Sequence, residues 1–206
     1  MPADELKTAR LDSARLRTLA HPLRSRLLTT LRANGPGTAT TLAARLGTNT
    51  GATSYHLRKL ADVGLIEEDP EHAGGRERWW RSAHERTTWT DTSFDDDPND
   101  RAAADWLVGH IARLYNRWLE DWLATRRLWS SEWRDAANNS DHEFHLTPER
   151  LRALNAELQE VLDRYSREAD PSLPDSQRCA ILLHSFPMPL PQLDPDAGQP
   201  SDERPR

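Results

Sequence analysis

The stretch Thr48–Leu60, TNTGATSYHLRKL, decides how the first half of the chain folds. Asn49 is placed to cap a helix, because its side chain can accept from the free amides of a first helical turn. Thr53, Leu57, Leu60 and Ala61 then recur at helical spacing and share one face, with His56 at its margin. The other side offers Thr50, Ser54, Tyr55, Arg58 and Lys59, a concentration of hydrogen-bond donors and cations. One face therefore belongs to a core, and the other needs a polar partner.

The residues on either side extend the pattern. Two helices are expected within residues 11–33, meeting at His21-Pro22, with Pro22 at a first helical position and Leu23, Leu27, Leu28 and Leu31 at helical spacing. Asn34-Gly35-Pro36-Gly37 ends the second of them. Thr38 can cap a short third helix whose stripe is Leu42, Ala43 and Leu46, and Gly47 stops it. After the quoted helix, closed by Gly64, LIEEDP reads as a strand, EHAGG as a turn and RERWWRSA as a second strand.

The order is helix, helix, short helix, tight turn, helix, hairpin. With its LAHPLR opening, LAARLG helix, SYHLRKL helix and GLIEED strand, the segment resembles the DNA-binding domain of ArsR-type transcriptional regulators over about residues 11–90. The resemblance implies a winged helix-turn-helix in which the quoted helix enters the major groove of double-stranded DNA. It does not bring a cysteine metal site, because the matching helix positions read HLRKLAD and the only thiol is Cys179.

Charge is distributed in keeping with such a partner. The formal net charge is −6, yet residues 11–90 hold 12 Lys+Arg against 8 Asp+Glu and residues 91–206 hold 13 against 23. A basic part followed by an acidic part can present only the first to a polyanion. No apolar run approaches a membrane span, and MPADELKTAR lacks the apolar core of a secretory signal, so the cytoplasm is the expected compartment.

Beyond residue 90 the composition changes. TDTSFDDDPND reads as an acidic linker or connecting loop over 91–100, followed by a helical domain over 101–186. A long helix is expected from Arg101 to about Arg127, with an apolar surface wider than one stripe, and residues 134–141 as loop. Thr147-Pro148-Glu149 is a helix start, and Leu151, Leu154, Leu158, Val161, Leu162 and Tyr165 follow on one side. HEFHL and CAILLHSF read as short strands, and the Pro/Asp-rich residues 187–206 as a disordered tail. The expected fold class is mainly α: a winged helix-turn-helix followed by a mostly helical, Trp-rich domain with one or two short strands.

Individual residues take roles from this frame. Thr50 can donate to a phosphate or a base, Gly51 allows close backbone approach, and Ser54, Tyr55 and Arg58 lie along the outward face. Arg58 has the reach for guanine or phosphate, and Lys59 for phosphate. His56 fits either a DNA contact or a half-buried packing role. Strand alternation puts Arg76 and Arg78 on one face and Trp79 and Arg81 on the other, and the resemblance implies that Arg76 and Arg78 meet phosphate or the minor groove. The alternative is a pairing of these arginines with Glu71 or Glu77.

Five tryptophans, Trp106, Trp118, Trp122, Trp129 and Trp133, fall within 28 residues. They suit a core and dimer interface, or an aromatic-lined effector pocket to which Trp106, His110, Trp118 and Trp122 would contribute. His142 and His145 have a spacing that serves a metal only on a helix or tight loop, so no metal site is assigned. No phosphate-binding glycine loop or nucleophile elbow is present, and neither catalytic residues nor a cofactor are expected. The reading is a cytoplasmic homodimeric transcriptional regulator, a repressor by resemblance, open to a small apolar or aromatic effector. The rival classes are a protein-interaction module on a winged-helix scaffold and a ligand-binding protein with a vestigial DNA-binding domain.

Overall fold

The computed structural model describes residues 7–188 apart from 73, 74 and 76. The chain divides into two compact units with the boundary between Ala137 and Asn138. In the first unit, helix α1 spans Ser13–Leu19, α2 Pro22–Asn34, α3 Ala39–Leu46 and α4 Thr50–Asp62. Their starts are set locally. The Asp12 carboxylate accepts from the Arg15 amide at 2.8 Å, and His21 Nδ1 accepts from the Leu23 amide at 3.2 Å just ahead of Pro22. Thr38 and Thr41 form a reciprocal capping box, and Asn49 Oδ1 accepts from the Ala52 amide at 2.7 Å. Gly47 (φ 63°) and Gly64 (φ 69°) close α3 and the turn after α4 in the left-handed region, where a side chain would be strained.

The expected hairpin is present with shorter strands than the sequence suggested, and it gains a third strand. Strand β3 (Ile66–Glu68) pairs antiparallel with β4 (Trp79–Ser82), and β2 (Gly37–Thr38) adds to the far edge of β4, giving the order β2-β4-β3. A short 3-10 turn at Pro70–His72 leads out of β3. Gly37 packs closely, since a Cβ there would stand 3.2 Å from Leu42 Cγ and Leu42 would have to shift by a few tenths of an ångström to admit it. Strands β1 (Thr8–Arg10) and β5 (Arg86–Thr88) form a separate parallel pair.

One continuous apolar core lies beneath these elements. Leu16, Leu27, Leu57, Leu60 and Leu65 have no exposed surface, and Thr53 sits among them rather than at the rim. Each such leucine contributes on the order of 2 kcal/mol through burial. This is a winged helix-turn-helix in a mainly helical chain.

The acidic segment 91–100 is not a free linker. Phe94 is buried in the core, Asp97 caps α5 (Pro98–Thr125), and Asp100 is buried. Arg17 of α1 bridges Asp97 at 2.6 Å and also bonds Asp100. Ala103, Ala104 and Leu107 then complete the core, so the start of α5 belongs to the winged domain. Asp97 and Asp100 thus cap a helix and hold an arginine. Helix α6 (Ser131–Ala136) follows a 3-10 turn and occupies part of the stretch expected as loop; Ser130 caps it.

In the second unit the helix expected at Thr147-Pro148 forms as α7 (Pro148–Glu168), with Thr147 Oγ1 accepting from the Arg150 amide at 3.4 Å. HEFHL and CAILLHSF carry no strand, and among the described residues no strand follows β5. An apolar run becomes a strand only where another edge takes up its backbone hydrogen bonds, and here none does. Ser185 Oγ instead donates to Asn155 Oδ1 at 2.7 Å. The tail expected to be disordered lies, from residue 189 on, outside the described residues.

Candidate nucleic-acid interface

Helix α4 is fixed by its apolar side: Thr53, Leu57 and Leu60 are fully buried, which turns the remaining positions outward. Thr50, Gly51, Tyr55, Arg58 and Lys59 are exposed, and Ser54 is half-buried. Tyr55 keeps 49% of its surface open to solvent, high for a side chain that gains from burial. Lys59 leans over the Tyr55 ring at 5.9 Å and pairs with Asp62 at 3.4 Å. Arg58 has no hydrogen-bond or ion-pair partner among the described residues.

His56 sits apart from this row. Its ring lies 4.4 Å from that of His21 and 5.1 Å from that of Tyr55, at the α2–α4 junction. Its Nδ1 is buried with no partner among the described residues. Burial lowers its pKa, and nearby His21 and Arg24 lower it further, so the ring is neutral at neutral pH. The geometry is that of a packing residue that holds α4 against the cap of α2.

A groove of about 290 Å³ runs between α4 and the wing, floored by the start of α3. Thr50, Ser54 and Arg58 line one wall, Glu77, Arg78 and Trp80 the other, and Thr38, Ala39 and Thr40 the floor. The floor and Trp80 escaped the sequence reading because they meet only through the β2–β4 pairing, in which Gly37 faces Trp80 and Thr38 faces Trp79. Thr38 did carry a signal as a helix cap, but nothing local to it tells which strand it will join.

Arg76, one of the two wing arginines expected at DNA, lies outside the described residues. Arg78 pairs with Glu68 at 2.9 Å rather than with Glu71 or Glu77, and its guanidinium lies 5.7 Å from the Trp80 ring. Arg81 bonds Glu67 at 2.7 Å and approaches Asp69 at 3.8 Å. The exposed Arg78–Glu68 pair is worth little energetically and opens readily to a competing phosphate, whereas Asp69, which Arg81 also approaches, is buried.

The four residues considered for an effector pocket do not converge on one protomer. Trp106 stacks on His110 at 4.7 Å, Trp118 lies 5.5 Å from Tyr115, and Trp122 lies 6.4 Å from Trp129. All four are on α5, where Trp106 and Trp122 are roughly 24 Å apart at 1.5 Å per residue. His110 has its pKa lowered by burial and by Arg113, Arg117 and Arg26. In the second unit His142 stacks on Phe144 at 6.0 Å, and among the described residues no three His, Cys, Asp or Glu side chains gather as metal ligands would.

Residues 19–69 match the family model of the helix-turn-helix domain. That span runs from the end of α1 through β3 and contains every α4 residue named above. No curated protein matches the chain. Among solved structures, a double mutant of ZitR from Lactococcus lactis in its apo form is similar at 14% identity, with 71% of this chain and 83% of that one covered and a TM-score of 0.31. RV1404 from Mycobacterium tuberculosis is similar at 19% identity, over 72% and 81% of the two chains, with a TM-score of 0.31. Wild-type apo MarR from E. coli is similar at 15% identity, over 73% and 88%, again with a TM-score of 0.31. No helix among the described residues is long and apolar enough to cross a membrane.

Proposed function

We propose that the protein is a sequence-specific, double-stranded DNA-binding transcriptional regulator rather than an enzyme. The observation that carries this is the division of α4: a fully buried apolar side and an outward row of Thr50, Ser54, Tyr55, Arg58 and Lys59 beside an open groove. A helix held this rigidly fits the major groove, where Arg58 suits guanine and the hydroxyls and Lys59 suit phosphates. Arg76 and Arg78 are proposed as backbone contacts from the wing, and Gly51 as a point of close backbone approach. His56 supports the helix from its flank.

The functional form is proposed to be a homodimer. Val108, Leu119 and Leu123 of α5 are 46%, 44% and 48% exposed, an apolar surface that a second copy would remove from water. Two recognition helices would then read half-sites about one DNA turn apart. Repression is the proposed sign of regulation. A small aromatic effector would act near Trp118 and Trp122 at that interface and shift the spacing of the two helices.

The test is affinity selection of the full chain against random duplexes at near-physiological salt. An enriched palindrome, lost in Arg58→Ala, is the expected result; Lys59→Ala should weaken selected and random DNA alike. Affinity should also fall by orders of magnitude between about 50 and 200 mM salt. Binding that is insensitive to salt and to both substitutions would assign the winged domain to a protein partner instead.

A further inference from the structure

The groove between α4 and the wing contains a carboxylate, which repels the phosphates of a DNA backbone. Glu77 is exposed, lines the same groove as Arg58 and Arg78, and accepts a hydrogen bond from Thr40 Oγ1 at 3.3 Å. Arg78 is meanwhile held by Glu68 at 2.9 Å. Two groups that could serve a phosphate, the Thr40 hydroxyl and the Arg78 guanidinium, are thus each occupied by an acid of the wing.

Resting on the reading of this face as a DNA interface, the consequence follows from helix and wing geometry. A helix in the major groove and a wing at the adjacent minor groove must straddle the sugar–phosphate strand that separates the two grooves. On that reading the strand would cross the groove that Thr40, Glu77 and Arg78 line. Hydroxyl and guanidinium donors favour it, while a carboxylate repels it and competes for the same donors.

We propose that Glu77, seconded by Glu68, is an intramolecular competitor for the DNA backbone that sets how tightly the protein holds any DNA. In the free protein Glu77 occupies the Thr40 hydroxyl and places a negative charge in the path of the phosphates. Binding requires that the hydroxyl exchange this carboxylate for a phosphate oxygen, and that Arg78 exchange Glu68 for another. The opposing charge lowers affinity on every sequence, so stable complexes form only where the outward face of α4 finds its bases. Glu77 makes no base contact in this scheme; it acts on the phosphate chain.

The experiment compares the full-length wild type with Glu77→Gln and Glu68→Gln on the selected duplex and on random duplex, at about 50 and about 200 mM salt. Gln keeps the size and one acceptor oxygen while it removes the charge and turns the other oxygen into an amide donor, and a melting curve confirms that each variant is folded. Glu77→Gln should tighten both duplexes by roughly three- to tenfold at the lower salt, with the gain shrinking at the higher. Glu68→Gln should do the same to a lesser degree by freeing Arg78. Unchanged or weaker binding of both duplexes by Glu77→Gln would overturn the proposal. Weakening on the selected duplex alone would also overturn it, because Glu77 would then be reading a base, as a carboxylate can read the cytosine amine. A wild type that binds neither duplex at low salt would instead remove the DNA reading itself.

Discussion

Helices α4 and α7 have comparable patterns on paper and different fates in the structure. Both begin at a side-chain cap, and both carry a leucine-rich side at helical spacing. In α4 that side is fully buried, at Thr53, Leu57 and Leu60. In α7 no residue is buried, and Leu158, Val161 and Tyr165 are 38%, 45% and 62% exposed. Amphipathic spacing thus makes a helix with an apolar side, but it does not supply the surface that covers it. Where four other elements converge on α4, its polar face becomes rigidly aimed; α7 has no such neighbours among the described residues of its own unit.

The sharpest way to break this comparison is to cut a hole under α4. Leu57→Ala should cost about 3 kcal/mol, since it removes a fully buried side chain from a site walled by other helices. Chemical denaturation followed by Trp fluorescence would measure it, and a loss under about 1 kcal/mol would mean that the core is looser than described. Removing the Asn49 cap should cost less: Asn49→Ala is expected to lose about 1 kcal/mol, because the Ala52 amide then has only water to bond.

Acidification should act on the first unit in smaller steps. His21, His56, His84 and His110 all have pKa values lowered chiefly by burial. The unfolded chain therefore takes up protons near pH 6.5 before the folded one does. Their contribution to stability is fully present above that pH and is lost as the pH falls below it. The melting temperature should drop between about pH 7.5 and about pH 5.5, and His56→Gln should flatten the dependence. A melting temperature that rose on acidification would reverse the sign assigned to these groups.

The smallest effect is expected in α7. Leu158→Ala should change thermal stability by no more than about 0.5 kcal/mol, as for a surface position. A loss near that of Leu57→Ala, or a shift in sedimentation, would show that a second surface covers α7 in solution.

Much of the winged domain was legible because its signals are local. Pro22 behind His21, the Thr38 cap, the Asn49 cap and the glycines at 47 and 64 each act within one turn of themselves, and the helices begin and end where these residues stand. The outward row from Thr50 to Lys59 was legible for the same reason, since one apolar stripe defines both faces. The wing arginines were less so. The alternation expected through Arg76 and Arg78 begins only at Trp79, where β4 starts, and it could not say that Glu68 rather than Glu71 or Glu77 would hold the Arg78 guanidinium, because that depends on the register Glu68↔Trp80.

The misread stretches share one property, that their state depends on partners far away in the chain. Residues 91–100 read as a linker or connecting loop until Arg17, some eighty residues earlier in sequence, meets Asp97 and Asp100. CAILLHSF looks like a buried strand, and it is not one because no other strand edge among the described residues reaches it. By itself the sequence determined where the helices of the winged domain start, stop and turn their apolar sides, since capping and periodicity are settled within a few residues. Only the tertiary structure decided which strand Thr38 joins, what the early turns of α5 complete, and that Thr40, Arg58, Glu77 and Arg78 line one groove. Those outcomes rest on long-range pairing and shared burial, which no short stretch of the chain contains.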